Sequence, residues 1–465
     1  MPDRHDDVDA WLSERIEPLP PPPGTFDLIK RRARRRKYRK LAITAGTAAV
    51  IVAAAVTVPE VVNLPVLNPN PTAAPVAGAS HSSAAPSAAS GTQGQASESA
   101  SSAVSVPPTV PDNFRPTSVT FVSTRSGWVI GQARTPGHCA TQFCTSVART
   151  GDAGKTWTGV PAPMAGAADG ATGLSQIRFL NLNDGWAYGP QLFSTHTGGR
   201  TWTPVDTGGL RVTALETVGN RVFAVWASCT GSGPGYAVDC TRFTLYSAPG
   251  RGGSWTPVGA STTGLTDGRA SEAAQLVLTG SRGYLLAPGG ALYAGPVDGS
   301  GPWTRVSSLA ASCPVGPARA DGQPTGALLA AVSARDLVLA CASASSGANP
   351  SVSTQQKFVY SSPDGGVSWR QMGTAPAAGV AFSLAASPSG SVVIGTHQGI
   401  DLLPQGEINW QLASLKGSAP SGGFGYVGMT TAEQGIALPA DPSAGTVWFT
   451  FDGGQTWASS RLNSS

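Results

Sequence analysis

Charge is the scarcest property of this sequence. Across 465 residues, Asp, Glu, Lys and Arg together make up 12%, and only five residues are His. So thin a supply excludes a coiled coil or a long helical bundle, which draw heavily on Glu, Lys and Arg. Cysteine is sparse as well, six in all, and no two stand in Cys-x-x-Cys spacing. With the histidines scattered, no metal site and no cofactor are expected. The formal net charge is only +4, and residues 112–465 hold 20 basic against 18 acidic groups. A region so nearly neutral argues against nucleic acid as its partner. Gly and Pro, by contrast, are plentiful at 58 and 38 residues, and they punctuate short elements joined by tight turns.

The basic charge that exists is concentrated near the start. Residues 31–40 read RRARRRKYRK, followed by the uncharged stretch Leu41–Val58 and then Pro59. Eighteen helical residues span roughly 27 Å, enough to cross a thin hydrocarbon core. Basic flanks stay on the cytoplasmic side, so the expectation is a single-pass anchor with residues 1–40 inside and everything after Pro59 outside. A cleaved signal peptide and a nuclear or DNA-binding patch are the competing readings. Within the tail, Val8, Trp11, Leu12 and Ile16 share one face of a short helix, ended by the proline run from Pro18. Residues 59–111 are dominated by Ala, Ser, Gly, Pro and Thr with Glu60 and Glu98 as their only charges, the composition of a disordered linker.

From residue 112 onward the chain repeats. Thr150-Gly151-Asp152-Ala153-Gly154-Lys155-Thr156-Trp157 returns as Ser362 to Trp369 around Asp364, and again as Thr450 to Trp457 around Asp452. A weaker copy runs from Thr195 to Trp202, with Thr197 in place of the Asp, and eroded copies end at Trp255, Trp303 and Trp410. Ahead of each Trp lie two short apolar runs separated by a polar turn, such as Val119–Val122 with Ser126–Ile130 and Ile177–Leu180 with Asp184–Tyr188. Each unit therefore reads as four short antiparallel strands. Seven units of about 51 residues over 112–465 predict an all-β, seven-bladed β-propeller.

The pattern Ser/Thr-x-Asp-x-Gly-x-Ser/Thr-Trp resembles the Asp-box, or bacterial neuraminidase, repeat. That family includes sialidases, Vps10-type sorting receptors and a photosystem II assembly propeller. The resemblance implies that Asp152, Asp364 and Asp452 are turn-forming, with Trp157, Trp202, Trp369 and Trp457 packing into their blades. It also implies that the box turns lie away from the ligand end. Function is open across the family, since fold alone does not assign activity.

Strand alternation puts the first-to-second turn and the box turn of each blade on one face, and the longer loops on the other. Gly131–Ser146, Trp226–Arg242, Cys341–Lys357 and the connection Val306–Ala327 are the long segments, and all six cysteines fall in them. For a head outside the cell, disulfides are expected. The sequence-adjacent pairs Cys139 with Cys144, Cys229 with Cys240 and Cys313 with Cys341 each staple one loop or connection, although other pairings are formally open. Candidate ligand contacts on this loop face are Arg134, His138, Trp226, Tyr236, Asp239, Arg242, His397 and Gln398.

Three functions compete. A binding or scaffolding module for a cell-envelope protein or polysaccharide is favoured, because no acid/base or nucleophile constellation stands out and no catalytic residue is assigned. A sialidase-like or other glycoside hydrolase is the alternative. Phe114-Arg115-Pro116 resembles part of the sialidase Phe-Arg-Ile-Pro motif, without its Ile, and Glu216 is the one Glu expected on an inner strand. The third reading is a transmembrane sensor that couples ligand capture outside to the N-terminal helix.

Overall fold

A computed structural model of the chain describes residues 109–134, 143–165, 173–230, 239–258, 274–287, 290–309, 313, 326–342 and 354–462. The chain divides into two compact units, Met1–Ser99 and Ala100–Ser465, and the described residues all belong to the second. The expected cytoplasmic tail, the helix at 41–58 and nearly all of the linker lie outside the described residues. Among the described residues no helix is long and apolar enough to cross a membrane.

Seven sheets follow one another along the chain, each containing an antiparallel run from first to fourth strand. Blade 1 contains Arg115–Phe121, Gly127–Ala133, Cys144–Thr150 and Thr158–Val160. The first strands of blades 2 to 7 are Gln176–Phe179, Arg211–Val218, Gln275–Leu278, Ala327–Ala331, Ala381–Ala386 and Phe424–Met429. Consecutive first strands touch around the ring, which makes them the inner wall of a seven-bladed propeller.

Burial explains why each blade has this strand sequence. Second strands such as Gly185–Tyr188, Leu337–Ala342 and Val392–Thr396 are buried along their whole length. They are covered on both faces by neighbouring blades, so they read as continuous apolar runs rather than alternating ones. Fourth strands such as Thr203–Val205 and Gln411–Leu412 form the exposed rim. Seven hydrophobic clusters fill the seven seams, from the one joining blades 1 and 2 around Trp128 and Phe179 to the one joining blades 7 and 1 around Phe449 and Trp157.

The ring closes through side chains. Phe449 of blade 7 packs edge-on against Phe121 of blade 1 at 5.9 Å. Ser460 Oγ donates to the Gly154 carbonyl at 2.6 Å, and Gln434 Nε2 to that of Thr124 at 3.0 Å. Blade 7 differs from the four-stranded expectation. Ser414–Lys416, from the connection after blade 6, adds a fifth strand parallel to Thr456–Arg461. At the other end Val110, which composition assigns to the linker, is buried in the blade 7–1 cluster.

Candidate functional site

The recurrent turns are built alike. In blade 1 Thr150 Oγ1 donates to Asp152 Oδ1 (2.8 Å) and accepts from the Gly154 N–H (3.0 Å). The Thr156 N–H and hydroxyl close onto the two Asp152 oxygens at 2.9 and 2.6 Å. Asp364 and Asp452 repeat the arrangement. Hydrogen bonds from Ser368 and Ser362 hold the Asp364 carboxyl down at a pKa of about 2. Slight burial pushes Asp152 upward, but the bonds from Thr156 and Thr150 outweigh it and leave the carboxyl below its ordinary range. These carboxylates are committed to their own turns. Each box turn is also tied to the first-to-second turn of its blade: Ala153, Gly198, Gly365 and Gly453 donate to the carbonyls of Arg125, Asn183, Arg335 and Glu433. Both kinds of short turn therefore share one face.

Glu216 does lie on an inner strand, and its carboxylate meets a cation there. Arg178, on the inner strand of blade 2, places Nε 2.6 Å from Glu216 Oε1, while its Nη1 donates to Ser118 Oγ and the Ile177 carbonyl. Burial works against the guanidinium charge, but Glu216 outweighs it and keeps Arg178 firmly protonated. Tyr188, whose hydroxyl donates to the Leu215 carbonyl at 3.4 Å, is pushed up to about 12 by burial, and Tyr426 of blade 7 is raised for the same reason. The pair links two blades at the inner wall, and sequence reading missed its cation because Arg178 sits in an ordinary strand alternation.

A second polar cluster occupies the short-turn face between blades 2 and 3. A cavity of about 460 Å³ is lined by Asn181, Leu182, Asn183, Asp184, His196 and Arg251. Asp184, 6% exposed, accepts from His196 Nδ1 at 2.9 Å on Oδ1 and from Asn181 Nδ2 at 2.7 Å on Oδ2. His196 is 43% exposed, and a Cβ at Gly252 would stand 3.5 Å from its Nε2. Arg251 is exposed at the cavity wall. The signal available in sequence was the position of His196, second in the one box copy that carries Thr197 instead of Asp.

The loop-face candidates are not gathered into one site by the described residues. His138 and Tyr236 lie outside them, and so does the side chain of Asp239, which begins the third strand of blade 3. Trp226 is a correction. It is 5% exposed in the seam between blades 2 and 3, stacked on Tyr246 at 4.2 Å, because the second strand of blade 3 continues to Thr230. Arg242 is exposed, with φ 51° at a bulge opposite Ala227, and such bulges re-aim a side chain. Arg134 stands over the Phe143 ring at 5.6 Å, beside Arg115 at 4.4 Å. His397 is half-buried, with Nδ1 on the Gly422 carbonyl at 2.8 Å and its ring edge-on to Phe382; Gln398 is exposed beside it.

Disulfides join Cys229 to Cys240 and Cys313 to Cys341. Cys144 is also disulfide-bonded, and its expected partner Cys139 lies outside the described residues. Their setting differs from expectation. Cys229 and Cys240 face each other across extended strands, and Cys341 is buried within a second strand. The staples thus act on sheet edges and seams as well as on loops.

The class these observations define is a disulfide-stapled, seven-bladed β-propeller. No protein-family model matches the sequence, and no curated protein does either. Among solved structures, the chain is similar to YCF48 bound to D1 peptide, at 17% identity over 62% of this chain and 80% of that one, with a TM-score of 0.38. YCF48 from Cyanidioschyzon merolae is 13% identical over 66% and 88%, with a TM-score of 0.43. The BP39L lectin from Burkholderia pseudomallei is 14% identical over 74% and 98%, also at 0.43. Likenesses of this depth leave the fold resting on the strand order itself.

Proposed function

We propose that the protein is a membrane-anchored, extracytoplasmic binding or scaffolding module whose propeller, built on Asp-box repeats, engages a cell-envelope protein or glycan without catalysis. The observation that carries this reading is that the carboxylates the repeat and the inner strand single out are already engaged. Asp152, Asp364 and Asp452 each close their own turn, and Glu216 is held by Arg178 at 2.6 Å. Glycoside hydrolysis requires two carboxyl groups facing a sugar, one to protonate and one to attack or activate water. A retaining sialidase in particular uses a Tyr–Glu pair; Tyr188 and Tyr426 lie near enough to feel the Glu216 charge, but the carboxylate accepts from the Arg178 guanidinium and the Tyr188 hydroxyl donates to the Leu215 carbonyl.

Placement outside the membrane is supported by the disulfides, which persist in oxidising compartments, and by the basic residues 31–40 ahead of the uncharged 41–58. On this reading residues 1–40 are cytoplasmic and 59–111 tether the head. The test is fractionation of the full chain. It should stay with membranes in alkaline carbonate, expose the head to protease added outside the cell, and become soluble when 41–58 are deleted. Recovery of the intact chain in the soluble fraction would refute the anchor. Turnover of a fluorogenic sialoside or glucan panel, abolished by Glu216→Gln, would replace the binding module with a hydrolase.

A further inference from the structure

We infer that the cavity between blades 2 and 3, on the short-turn face, is a binding site for a compact oxyanion, a carboxylate or phosphate group, clamped between His196 and Arg251. This inference is independent of the loop-face reading and of whether the head is anchored.

The chemistry follows from which groups are already used. Asp184 is nearly buried and both of its oxygens are engaged, Oδ1 by His196 and Oδ2 by Asn181. Asn181 Oδ1 accepts from the Asn183 and Asp184 N–H groups, so the asparagine is spent on shaping the turn. What remains among the lining residues is His196, with Nε2 outside the Asp184 bond, and the exposed Arg251 and Asn183. A carboxylate on Nδ1 fixes the ring orientation and leaves the Nε2 edge for a ligand. An anion that takes up a hydrogen bond from Nε2 completes the chain Asp184–imidazolium–ligand, with the proton drawn from solvent. Arg251 adds the forked donor that matches carboxylate and phosphate oxygens.

Two further features suit a site rather than a packing gap. Gly252, at φ 93°, borders the imidazole edge without crowding it: even a Cβ there would stand 3.5 Å from Nε2, an ordinary contact. Leu182 is 49% exposed on the same wall, giving a ligand's carbon skeleton an apolar surface. The cavity of about 460 Å³ falls within the range of small-molecule sites. The turns that meet here are hydrogen-bonded: the first through Asn181 and Asp184, the second through Thr195, Thr197 and Thr201, and the third through the Gly252 N–H to the Pro249 carbonyl, with the Gly250 N–H tying it to Asn220. The backbones that carry the donors are therefore ordered before binding, which lowers the cost of forming the site.

The experiment is histidine acylation by diethyl pyrocarbonate on the full chain, read peptide by peptide by mass spectrometry. Inorganic phosphate and acetate are titrated at constant ionic strength against chloride. Either anion should slow modification of His196 with a millimolar midpoint and leave His397 unaffected, and the more protective of the two identifies the phosphate or carboxylate arm. Arg251→Gln lies on an exposed turn and leaves the His196–Asp184 pair in place; it should raise the midpoint at least tenfold, whereas Arg200→Gln, an exposed arginine that does not line the cavity, should leave it unchanged. Loss of protection in both variants alike, equal protection in wild type and Arg251→Gln, or no protection by either anion would overturn the assignment.

Discussion

Lys357 and Asp401 give the sharpest test of how the blades are held together. Lys357 opens the third strand of blade 5 and Asp401 lies in the third strand of blade 6, with side chains 0% and 2% exposed and Nζ 3.6 Å from Oδ2. The ammonium also donates to the Ala378 and Gly379 carbonyls at 3.0 Å each. Burial pushes Asp401 up from 3.8 to about 6, against the pull of Lys357, and pushes Lys357 below its ordinary value. Because the folded state binds this carboxyl proton more tightly, the contribution to stability is full below pH 3.8 and is lost as pH rises through 6. At 1.36 kcal/mol per pH unit, the difference between 3.8 and about 6 amounts to roughly 3 kcal/mol. The box carboxylates, with pKa values lowered from 3.8, act in the opposite sense and only in the acid range below it. Urea unfolding of the full chain, followed by tryptophan fluorescence at pH 4 and pH 7, should therefore show the advantage of wild type over Asp401→Asn shrinking by about 2 kcal/mol as pH rises, since pH 4 already lies above 3.8. Lys357→Met should cost about 3–5 kcal/mol at pH 7, because it strands a buried carboxylate, while Lys357→Met with Asp401→Leu should recover most of that loss. A wild-type advantage that stays flat or grows with pH, or a double variant as unstable as Lys357→Met, would refute the reasoning.

Three other outcomes follow from the geometry. Gly154→Ala should destabilise the blade 7–1 seam by at least about 1 kcal/mol, since φ is 82° and the new Cβ would fall 2.2 Å from Phe449 Cζ; thermal unfolding checks it. Replacing Cys313 and Cys341 by Ser removes a link across 28 residues and should cost roughly 3–4 kcal/mol by loop-entropy arithmetic, whereas adding reductant to that variant should have less effect than on wild type. Asp452→Ala deletes the bonds from Thr456 and Thr450 and should cost about 1–2 kcal/mol, as loss of a comparable helix-cap oxygen does, measured as a shift in urea midpoint at constant slope.

What could be read in the sequence was whatever the repeat enforces locally. The paired apolar runs form the strands expected of them, because a four-stranded blade must alternate strand and turn within a few residues, while Trp157, Trp202, Trp369 and Trp457 pack in the seams between neighbouring blades. Legibility failed where burial depends on another blade. Trp226 reads as the start of a loop, yet a bulge and a cross-strand disulfide carry its strand on to Thr230. Arg178 meets Glu216 across 38 residues, and Lys357 meets Asp401 across a seam; neither pair has a spacing that announces it. Cys229 with Cys240 and Cys313 with Cys341 paired locally as expected, but strand extension rather than loop length decides what these bonds hold.

The blade 2 turn shows why a weaker copy of the repeat is an informative one. In the intact boxes an Asp satisfies the turn, and its charge is consumed there: Asp152, Asp364 and Asp452 each accept from the Ser or Thr four residues on. Thr197 does the same work without charge, accepting the Thr201 N–H at 2.9 Å while meeting its hydroxyl at 2.8 Å. Gly199 still donates to Thr195, so the backbone of the turn is preserved. With no carboxylate of its own, this turn carries His196 into reach of Asp184 from the neighbouring turn. A hydroxyl thus suffices for architecture, and a carboxylate–imidazole pair is left at the surface beside Arg251, where a fold made of structural carboxylates has chemistry to spare.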